Sequence, residues 1–392
     1  EPDLIRVKPG GSVKIGAFDV EFIPVTHSIP EACALSITTA AGRMIHTGDW
    51  KIDPDPQLGM MFDSDRLAAL GREGVLGLVC DSTNALEEGH SGSEGDVYPG
   101  LLEVVQNAKG RVAVTCFATN VARVATVAKV AEATGRRLAL VGRSLHRLYE
   151  VSKDNGYLQS FPDVVPEDSI GRLPREEGLM LVTGPQGEPR AALSKLSRNE
   201  HQHVTLNAGD TVVYSSREIP GNETDINRVR NHLAGLGVEV LADGRDGLNV
   251  HVTGHPQRDE LTQMYQWTQP QVALAVHGET RHQMENAKLA LTCQVGQALA
   301  PGDGDVIRLR KGQDAEVVSR IDVDVLGLDG SRLVALESEV VRMRKRMMHN
   351  GSINVAFAVN ERGGIVGDPI LTSAGVFESP EEEEIEAEAA DW

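Results

Sequence analysis

The sequence has 392 residues, of which 41% are hydrophobic and 24% charged, a composition typical of a soluble globular protein with more than one hydrophobic core. No apolar run approaches the roughly 20 residues that a membrane-spanning helix needs, and the chain opens on Glu1-Pro2-Asp3 instead of a basic and then apolar leader, so we expect a cytoplasmic protein. The formal net charge of -19 argues against a surface that is basic throughout, as many nucleic-acid-binding proteins have.

Charge is unevenly distributed along the chain. The last fifteen residues hold eight acidic residues and no basic one, so we expect a solvated, disordered tail. Between Gly100 and Gln263 acidic and basic residues nearly cancel, and grouped arginines predict a local basic face, with an acidic domain that never meets nucleic acid as the alternative. These arginines are Arg111, Arg123, Arg136, Arg137, Arg143 and Arg147.

The four cysteines are far apart in the sequence and form no Cys-x-x-Cys pair. They are Cys33, Cys80, Cys116 and Cys293. We expect buried, reduced thiols, and we favour this interpretation over a disulfide or a zinc knuckle.

The first eighty residues alternate short apolar runs with turns, which predicts strands. Several runs end in a polar residue, at His27, Asp49 and Asp81, as expected of strands that deliver side chains to one edge of a sheet. The predicted strands are Val13–Ile15, Phe18–Val25, Ala34–Thr38, Arg43–Ile45 and Gly77–Cys80.

From about Asp96 predicted strands and helices alternate, which indicates a mostly parallel sheet with helices on its faces. The predicted strands are Val112–Cys116, Arg137–Val141, Leu179–Thr183, Thr211–Ser215 and Val238–Leu241, followed by the apolar-polar run Asn249–Thr253. The predicted helices are Val121–Thr134, Leu145–Asn155 and Asn222–Leu236.

After Arg258 the pattern predicts a helix, a strand that ends on His277, and a second helix. Their ranges are Asp259–Thr268, Val272–Val276 and Glu279–Leu291. Beyond Pro301 the pattern predicts hairpins, with a turn within residues 359–366. The predicted hairpin strands are Asp305–Leu309, Ile321–Val325 and Ile353–Val359.

Six polar side chains lie at or near the ends of predicted strands. They are His27, Asp49, Asp81, His251, His255 and His277. A single histidine in this position is more often a hydrogen-bonded surface residue than a ligand, and a single aspartate often caps a helix or turn. Together, imidazoles and carboxylates on neighbouring strand edges supply the ligands of a zinc cluster. Two cations about 3.5 to 4 Å apart activate water and hold both oxygens of an in-line phosphoryl displacement, so the set predicts phosphodiester hydrolysis.

Seven segments carry these residues or lie between them. They are Thr26–Glu31, His46–Lys51, Cys80–Ala85, Thr183–Pro189, Ser215–Glu223, Thr253–Pro256 and Pro270–Glu279. In order and spacing they resemble signatures of the RNase J branch of the β-CASP metallo-β-lactamases. The resemblance extends from about residue 5 to residue 375.

The resemblance implies an α/β fold: an incomplete metallo-β-lactamase αββα sandwich, an inserted β-CASP α/β domain and the start of a C-terminal α/β domain. The implied ranges are 1–95 and 264–345 for the split lactamase domain, 96–263 for the β-CASP domain, and 346–392 for the C-terminal part with its acidic tail. The implied activity is that of a zinc-dependent ribonuclease, a 5′→3′ exonuclease and endonuclease on single-stranded, 5′-monophosphorylated RNA, acting as a homodimer or higher homo-oligomer.

The resemblance also implies roles for the strand-end residues. His27 would bind the first of two zinc ions, Asp49 would bridge the pair and His277 would bind the second. Asp81 and His255 match the acidic and histidine motifs of the β-CASP group. Asp81 would orient ligands or carry a proton, and His255 would stabilise the scissile phosphate or assist the leaving oxygen.

A second part of the resemblance concerns RNA phosphate. The implied contacts are His251, Val252, Thr253, Gly254 and His255, with Thr119 and Asn120 opposite in a pocket for the 5′ monophosphate. A glycine-containing turn exposes backbone N–H groups, and the threonine hydroxyl adds a donor. Thr119 and Asn120 also precede the helix Val121–Thr134 and are equally placed to cap it, and the two roles are compatible because helix N-termini bind phosphate.

One family motif is missing, the His-x-His-x-Asp-His metal cluster upstream of His27. His201 and His203 do not replace it, because the residues after them do not fit. We therefore expect a chain incomplete at both ends and inactive alone. The alternatives are a truncated, noncatalytic RNA-binding or partner-subunit paralogue and, less favoured, a hydrolase of small thioesters or lactams, whose open cleft the inserted domain would cover.

Overall fold

The computed structural model describes residues 4–244, 247–323 and 325–376. Contacts between residues divide the chain into two compact units, Glu1–Gly302 with Ile307–Val318, and Asp303–Val306 with Ser319–Trp392. The acidic tail lies outside the described residues, so its disorder stays a prediction. Within the described ranges, no helix is long and apolar enough to cross a membrane.

The first unit contains a seven-stranded and a five-stranded sheet. Its strands are β1 (Ser12–Ile15), β2 (Phe18–Pro24), β3 (Cys33–Thr39), β4 (Gly42–His46), β5 (Gly77–Asp81), β6 (Val112–Thr115), β7 (Arg137–Val141), β8 (Gly178–Val182), β9 (Thr211–Tyr214), β10 (Glu239–Ala242), β11 (Val272–Val276) and β12 (Gln297–Leu299). Its helices are α1 (Ser64–Glu73), α2 (Val97–Asn107), α3 (Val121–Thr134), α4 (Arg143–Asp154), α5 (Ala192–Ser197), α6 (Glu223–Gly235), α7 (Arg258–Thr268) and α8 (Thr280–Thr292). A further two-stranded sheet follows, formed by β13 (Asp305–Arg308) and β14 (Glu316–Arg320).

The seven-stranded sheet has the order β1-β2-β3-β4-β5-β11-β12. Neighbours from β1 to β4 are antiparallel, whereas β4, β5, β11 and β12 run parallel. Its core includes the fully buried side chains of Ile45, Trp50, Leu78 and Tyr265. Because β4, β5 and β11 are parallel, the segments that leave their carboxyl ends emerge at one edge of the sheet.

The five-stranded sheet has the order β10-β9-β6-β8-β7, and every neighbouring pair is parallel. Alternate side chains of one strand enter different cores: Val112 and Val114 lie in one hydrophobic cluster and Ala113 in another. Both faces are therefore buried, which explains why these strands are continuously apolar. Full burial of a valine or leucine stabilises the fold by about 1.5 to 3 kcal/mol relative to exposure. The predicted α/β class and the predicted parallel sheet are confirmed.

Helix α3 has the bounds predicted from the sequence. The Asn120 side chain accepts a hydrogen bond of 2.9 Å from the backbone N–H of Arg123, which caps the first turn. Gly135 ends the helix with a φ of 68°, a left-handed conformation that glycine adopts without steric cost.

The second unit contains β15 (Leu326–Asp329), β16 (Arg332–Ala335), α9 (Glu339–Asn350), β17 (Ser352–Val359) and β18 (Ile365–Ala374). The predicted turn joins β17 to β18. The predicted strand Ile321–Val325 is wrong: the strand lies earlier, at β14, and residues 321–323 have no regular structure. The side chains of Ile321, Val323 and Val325 are at least 60% exposed, so no packing holds them as one face of a strand.

Other expectations also need correction. Helices α1, α2, α5 and α9 were not predicted, because short apolar runs, and in α9 closely spaced arginines, obscured the helical period. The run Asn249–Thr253 forms no strand. The six arginines do not form one basic face, since Arg111 and Arg123 are buried.

All four cysteines are free. Cys80 and Cys116 are buried as predicted, and burial raises the pKa of each thiol to about 12. Cys33 and Cys293 are only half-buried, so that part of the prediction is wrong.

Candidate active site

Three loops at the carboxyl edge of the seven-stranded sheet bring acidic and imidazole side chains together. Asp49 follows β4, Asp81 is the last residue of β5, and His277 directly follows β11. His27 is fixed beside Asp49 by a bridge between their loops, in which the buried Thr26 hydroxyl donates to the carbonyl of Lys51 at 2.7 Å. The sheet thus places residues that are distant in sequence at one edge.

Asp49 lies between two histidines. One carboxylate oxygen is 3.8 Å from Nε2 of His27, and the other is 3.6 Å from Nε2 of His277. The ring of His255 lies between those of the other two, with centroid distances of 5.1 Å to His27 and 5.4 Å to His277. The carboxylate can therefore face two partners at once.

Two groups of three residues have donor atoms within 4.8 Å of one another. The first is His27, Asp49 and His255, and the second is Asp81, His255 and His277. Imidazole nitrogens and carboxylate oxygens are the mixed donors that zinc accepts, at about 2.0 to 2.2 Å from the ion. Donor atoms less than 4 Å apart fit two ligands of one such ion, so the donor chemistry suits a divalent metal.

A short hydrogen bond joins the buried Asp81 to His255, with 2.6 Å between Oδ2 and Nδ1. Asp81 also accepts bonds from the backbone N–H and the hydroxyl of Thr83. Burial alone would raise the pKa of Asp81, but the bonds from His255 and Thr83 lower it overall. Burial alone would lower the pKa of His255, but the bond and charge of Asp81 raise it overall. The pair favours an ionised carboxylate and a protonated imidazole.

His27 is oriented by the loop that carries His255. Its Nδ1 lies 2.7 Å from the carbonyl of Gly254, and because a carbonyl only accepts, Nδ1 carries the hydrogen and Nε2 faces Asp49. Burial lowers the pKa of His27 overall, although this hydrogen bond opposes the change. A Cβ at Gly254 would lie 2.7 Å from Cε1 of His27, so the close approach requires glycine.

Glu260 ties the loops around the site together. This fully buried carboxylate accepts hydrogen bonds from the backbone N–H groups of Ile52, Ser91 and Gln257, at 2.8, 2.9 and 2.8 Å. Ile52 belongs to the loop of Asp49, and Gln257 precedes α7 just after the loop of His255. The role of Glu260 was not predicted, because a glutamate in the first turn of a helix is commonly a capping residue.

A cavity of about 500 Å³ adjoins the loop that holds His255. Its lining includes Ser216, Arg217, His251, Val252 and Thr253. Among the described residues, no partner reaches the buried Nε2 of His251 or the buried hydroxyl oxygen of Ser216. Buried polar atoms in a native protein are normally paired, so two open ones in one cavity indicate a place for a polar ligand.

Arg123 sets the state of His251. Its Nη1 lies 3.4 Å from Nδ1 of His251, at the long end of the hydrogen-bond range. Burial, and then the charge of Arg123, lower the pKa of His251 to about 3. His251 is therefore neutral at physiological pH.

A buried ion pair holds Arg123 in place. Its Nε and Nη2 donate to the two carboxylate oxygens of Glu94 at 2.7 and 3.0 Å, and Nη1 donates to the carbonyl of Ser215 at 2.8 Å. Arg123 was predicted on a basic face, and no role was predicted for Glu94. No sequence signal marked this pair.

The predicted phosphate residues are not all brought together. His251, Val252 and Thr253 line the cavity, whereas Thr119 and Asn120 do not. The Asn120 side chain is used as the cap of α3, and Thr119 is exposed. His201, which was not expected to be a ligand, pairs with Glu167 at 3.2 Å.

Residues 109–233 match the family model described as ribonuclease J, beta-CASP domain. A ribonuclease J from Mycolicibacterium smegmatis is 35% identical over 405 residues, which cover all of this chain and 72% of that protein. The chain belongs to the ribonuclease J family. A family member from Sinorhizobium meliloti is 42% identical over 96% of this chain, and the chain spans 66% of that relative's length.

One solved structure supports the fold alone. The crystal structure of a protein of unknown function from Enterococcus faecalis V583 matches with a TM-score of 0.52 and 17% identity. The match covers 77% of this chain and 66% of that one.

Proposed function

We propose that this chain carries a large part of the active site of a metal-dependent ribonuclease, which cleaves single-stranded RNA as a 5′→3′ exonuclease and as an endonuclease. The convergence of His27, Asp49 and His277 with the Asp81–His255 pair at one sheet edge carries the proposal. Family membership supports it, since the curated relatives bear the name ribonuclease J.

His27, Asp49 and His277 would hold the metal, with Asp49 between the two histidines, and zinc is the ion best suited to these donors. A pair of bound divalent cations would supply Lewis acidity to the scissile phosphate and activate the attacking water. Gly254 and Thr26 keep the ring and the loop of His27 in position for this role.

Asp81 and His255 would manage the proton of the leaving oxygen. Asp81 accepts the hydrogen on Nδ1 of His255, which leaves Nε2 for the substrate. Because the pKa of His255 is raised, the ring retains a proton over a wider pH range and can donate it to the leaving oxygen. The ionised Asp81 stabilises the charged ring.

The 500 Å³ cavity would hold the 5′ monophosphate of the RNA. The buried Nε2 of His251 and the hydroxyl of Ser216 would face the phosphate, and Arg217 would supply positive charge. Thr253 lies at the same wall, held by a bond of 3.0 Å from the side-chain amide of Asn84. Thr119 and Asn120 lie outside the lining of this cavity. We propose a phosphate contact for them only through the backbone at the N-terminus of α3.

Metal binding gives the most direct test. Calorimetric titration with Zn²⁺ and Mn²⁺ is expected to show binding that His277→Ala weakens at least tenfold, whereas the exposed His203→Ala leaves it unchanged. Cleavage of 5′-monophosphorylated RNA is expected to be weak for this chain alone and to appear when a His-x-His-x-Asp-His segment is supplied. Absence of both metal binding and RNA binding would refute the proposal.

A noncatalytic RNA-binding or partner subunit is the second candidate. It is favoured by the donor set, which offers two three-residue groups that share His255 instead of two separate ligand shells. RNA binding that persists without cleavage, even with the missing motif supplied, would favour this candidate.

The proposed domain organisation follows the two sheets. We assign residues 1–95 and 264–345 to the lactamase domain, 96–263 to the β-CASP domain and 346–392 to the start of a C-terminal domain. The family match at residues 109–233 supports the middle assignment. Assembly as a homodimer or higher homo-oligomer and a cytoplasmic location stay predictions.

A further inference from the structure

A second cavity, of about 730 Å³, lies at the carboxyl edge of the five-stranded sheet. It is bounded by the segments that follow β6, β7 and β8, through Phe117, Gly142 and Thr183. The 500 Å³ cavity instead contains residues that follow β9 and β10, such as Ser216 and Asp243. The carboxyl edge of an open parallel sheet is where ligands of such folds bind, and here it has two cavities.

The second cavity is rich in basic side chains that form no ion pair within the described part of the chain. Arg143, Arg147, Arg190 and Lys195 line it, all four are exposed, and none makes an ion pair or side-chain hydrogen bond within the described residues. They come from α4, from α5 and from the loop between β8 and α5. Although the chain has a net charge of -19, these four cations give the cavity a local positive charge that attracts anions.

The acidic residues of this cavity are already engaged. Glu167 pairs with His201 at 3.2 Å and His146 at 3.6 Å, and Glu188 accepts the backbone N–H of Gln186 at 3.0 Å. Neither carboxylate neutralises an arginine or lysine of the cavity. The cavity therefore holds four cations against two carboxylates with other partners, an excess of positive charge.

The backbone adds to this charge. Helix α4, twelve residues long, begins at Arg143 in the wall of the cavity. Its N-cap residue, Gly142, has no side chain to cap the first turn, and the Gly142 N–H donates to Glu167 at 3.3 Å. Uncapped N–H groups and the helix dipole favour an anion at this end. The ring of Phe117, half-buried in the same wall, offers an apolar face of the kind on which nucleobases stack.

We propose that this cavity binds the phosphodiester backbone of the RNA substrate at a second point, separate from the metal ligands and from the 500 Å³ cavity. The inference rests on the proposed ribonuclease function. A polymer is the occupant that fits, because the four cations are exposed and come from three segments, so they match phosphates spaced along a strand. A free nucleotide with a single phosphate cluster would leave most of them unpaired.

The test compares two double variants that remove the same charges from opposite edges of one sheet. Arg147→Gln with Lys195→Gln alters the cavity, whereas Arg137→Gln with Lys109→Gln alters exposed cations at the amino edge. Binding of fluorescent, 5′-monophosphorylated single-stranded RNAs of three and twelve nucleotides is measured by anisotropy in EDTA. Circular dichroism confirms that both variants fold.

For the twelve-nucleotide RNA, the cavity variant is expected to bind about tenfold more weakly than the control, and its salt dependence is expected to fall by about 1.4 in log–log slope, since each phosphate contact on a single strand contributes about 0.7. The three-nucleotide RNA is expected to bind both variants equally. Equal binding of the long RNA by both variants would overturn the inference. The inference would also be overturned if the cavity variant lost AMP binding, the control variant kept it, and RNA binding changed in neither. Failure of the unaltered chain to bind any RNA would instead refute the proposed function itself.

Discussion

Replacement of Arg123 by methionine is expected to destabilise the protein strongly. The arginine side chain is fully buried, and the side chain of Glu94 is about nine-tenths buried. Two hydrogen bonds, of 2.7 and 3.0 Å, join the guanidinium to the carboxylate. Without the guanidinium, Glu94 is a buried charge with no counter-ion, and Ser215 loses a donor to its carbonyl. Removing one partner of a buried ion pair costs about 3 to 5 kcal/mol.

Urea unfolding of a double-mutant cycle measures this effect. Arg123→Met alone is expected to lower the free energy of unfolding by that amount, whereas addition of Glu94→Gln is expected to recover part of the loss, because no buried charge then remains. Arg137→Met, on an exposed arginine of β7, serves as control. If Arg123→Met is no less stable than this control, or if the two changes simply add, the ion pair does not hold these segments together.

Two further predictions concern the site. Because the pKa of His251 is about 3 in the folded chain and about 6.5 when unfolded, the unfolded chain takes up a proton that the folded chain refuses. The free energy of unfolding should therefore fall as pH decreases from 6.5 towards 3. In urea titrations, His251→Gln should make this pH dependence shallower by up to about 1.4 kcal/mol per pH unit. Equal pH dependence for the two proteins would contradict the burial argument. Gly254→Ala is expected to weaken Zn²⁺ binding about tenfold or more, because the added Cβ would displace the ring of His27. Gly235→Ala serves as control, since Gly235 has open space around it. Equal Zn²⁺ affinities of the two variants by calorimetry would contradict the close-packing argument.

The sequence predicted those elements whose signal is local. Helix α3 carries its own start at Asn120 and its own end at Gly135, and the apolar run of β8 shows that both of its faces are buried. The strand predicted at Ile321–Val325 failed because alternating apolar residues predict a strand only if something covers them. Neither local signal could reveal that β5 and β11 are neighbours, since that pairing joins distant parts of the chain.

The site residues that could be predicted are those at the ends of strands. Residues that follow parallel strands lie at one edge of the sheet, so His277, Asp49 and Asp81 could be expected on the same edge, although their order along it could not. The pairing of Glu94 with Arg123 was not predictable, because it depends on the three-dimensional packing of α3. Asn120 shows the remaining ambiguity: a residue before a helix serves equally as cap or as ligand, and here its side chain caps.

The pairing of β5 with β11 has a consequence for how the protein folds. Residues 82–271 separate these strands, and that stretch contains the complete five-stranded sheet, whose own contacts close much shorter loops. If β5 and β11 paired first, the whole unfolded segment 82–271 would have to be closed into a loop. This costs more chain entropy than pairing the two strands after the insertion has folded. The inserted sheet is thus expected to form early, and Asp81 and His277 to meet late. Ribosomal synthesis sets the same order, because β11 leaves the ribosome after the insertion, so the sheet edge that brings Asp81 and His277 together is absent from every earlier intermediate.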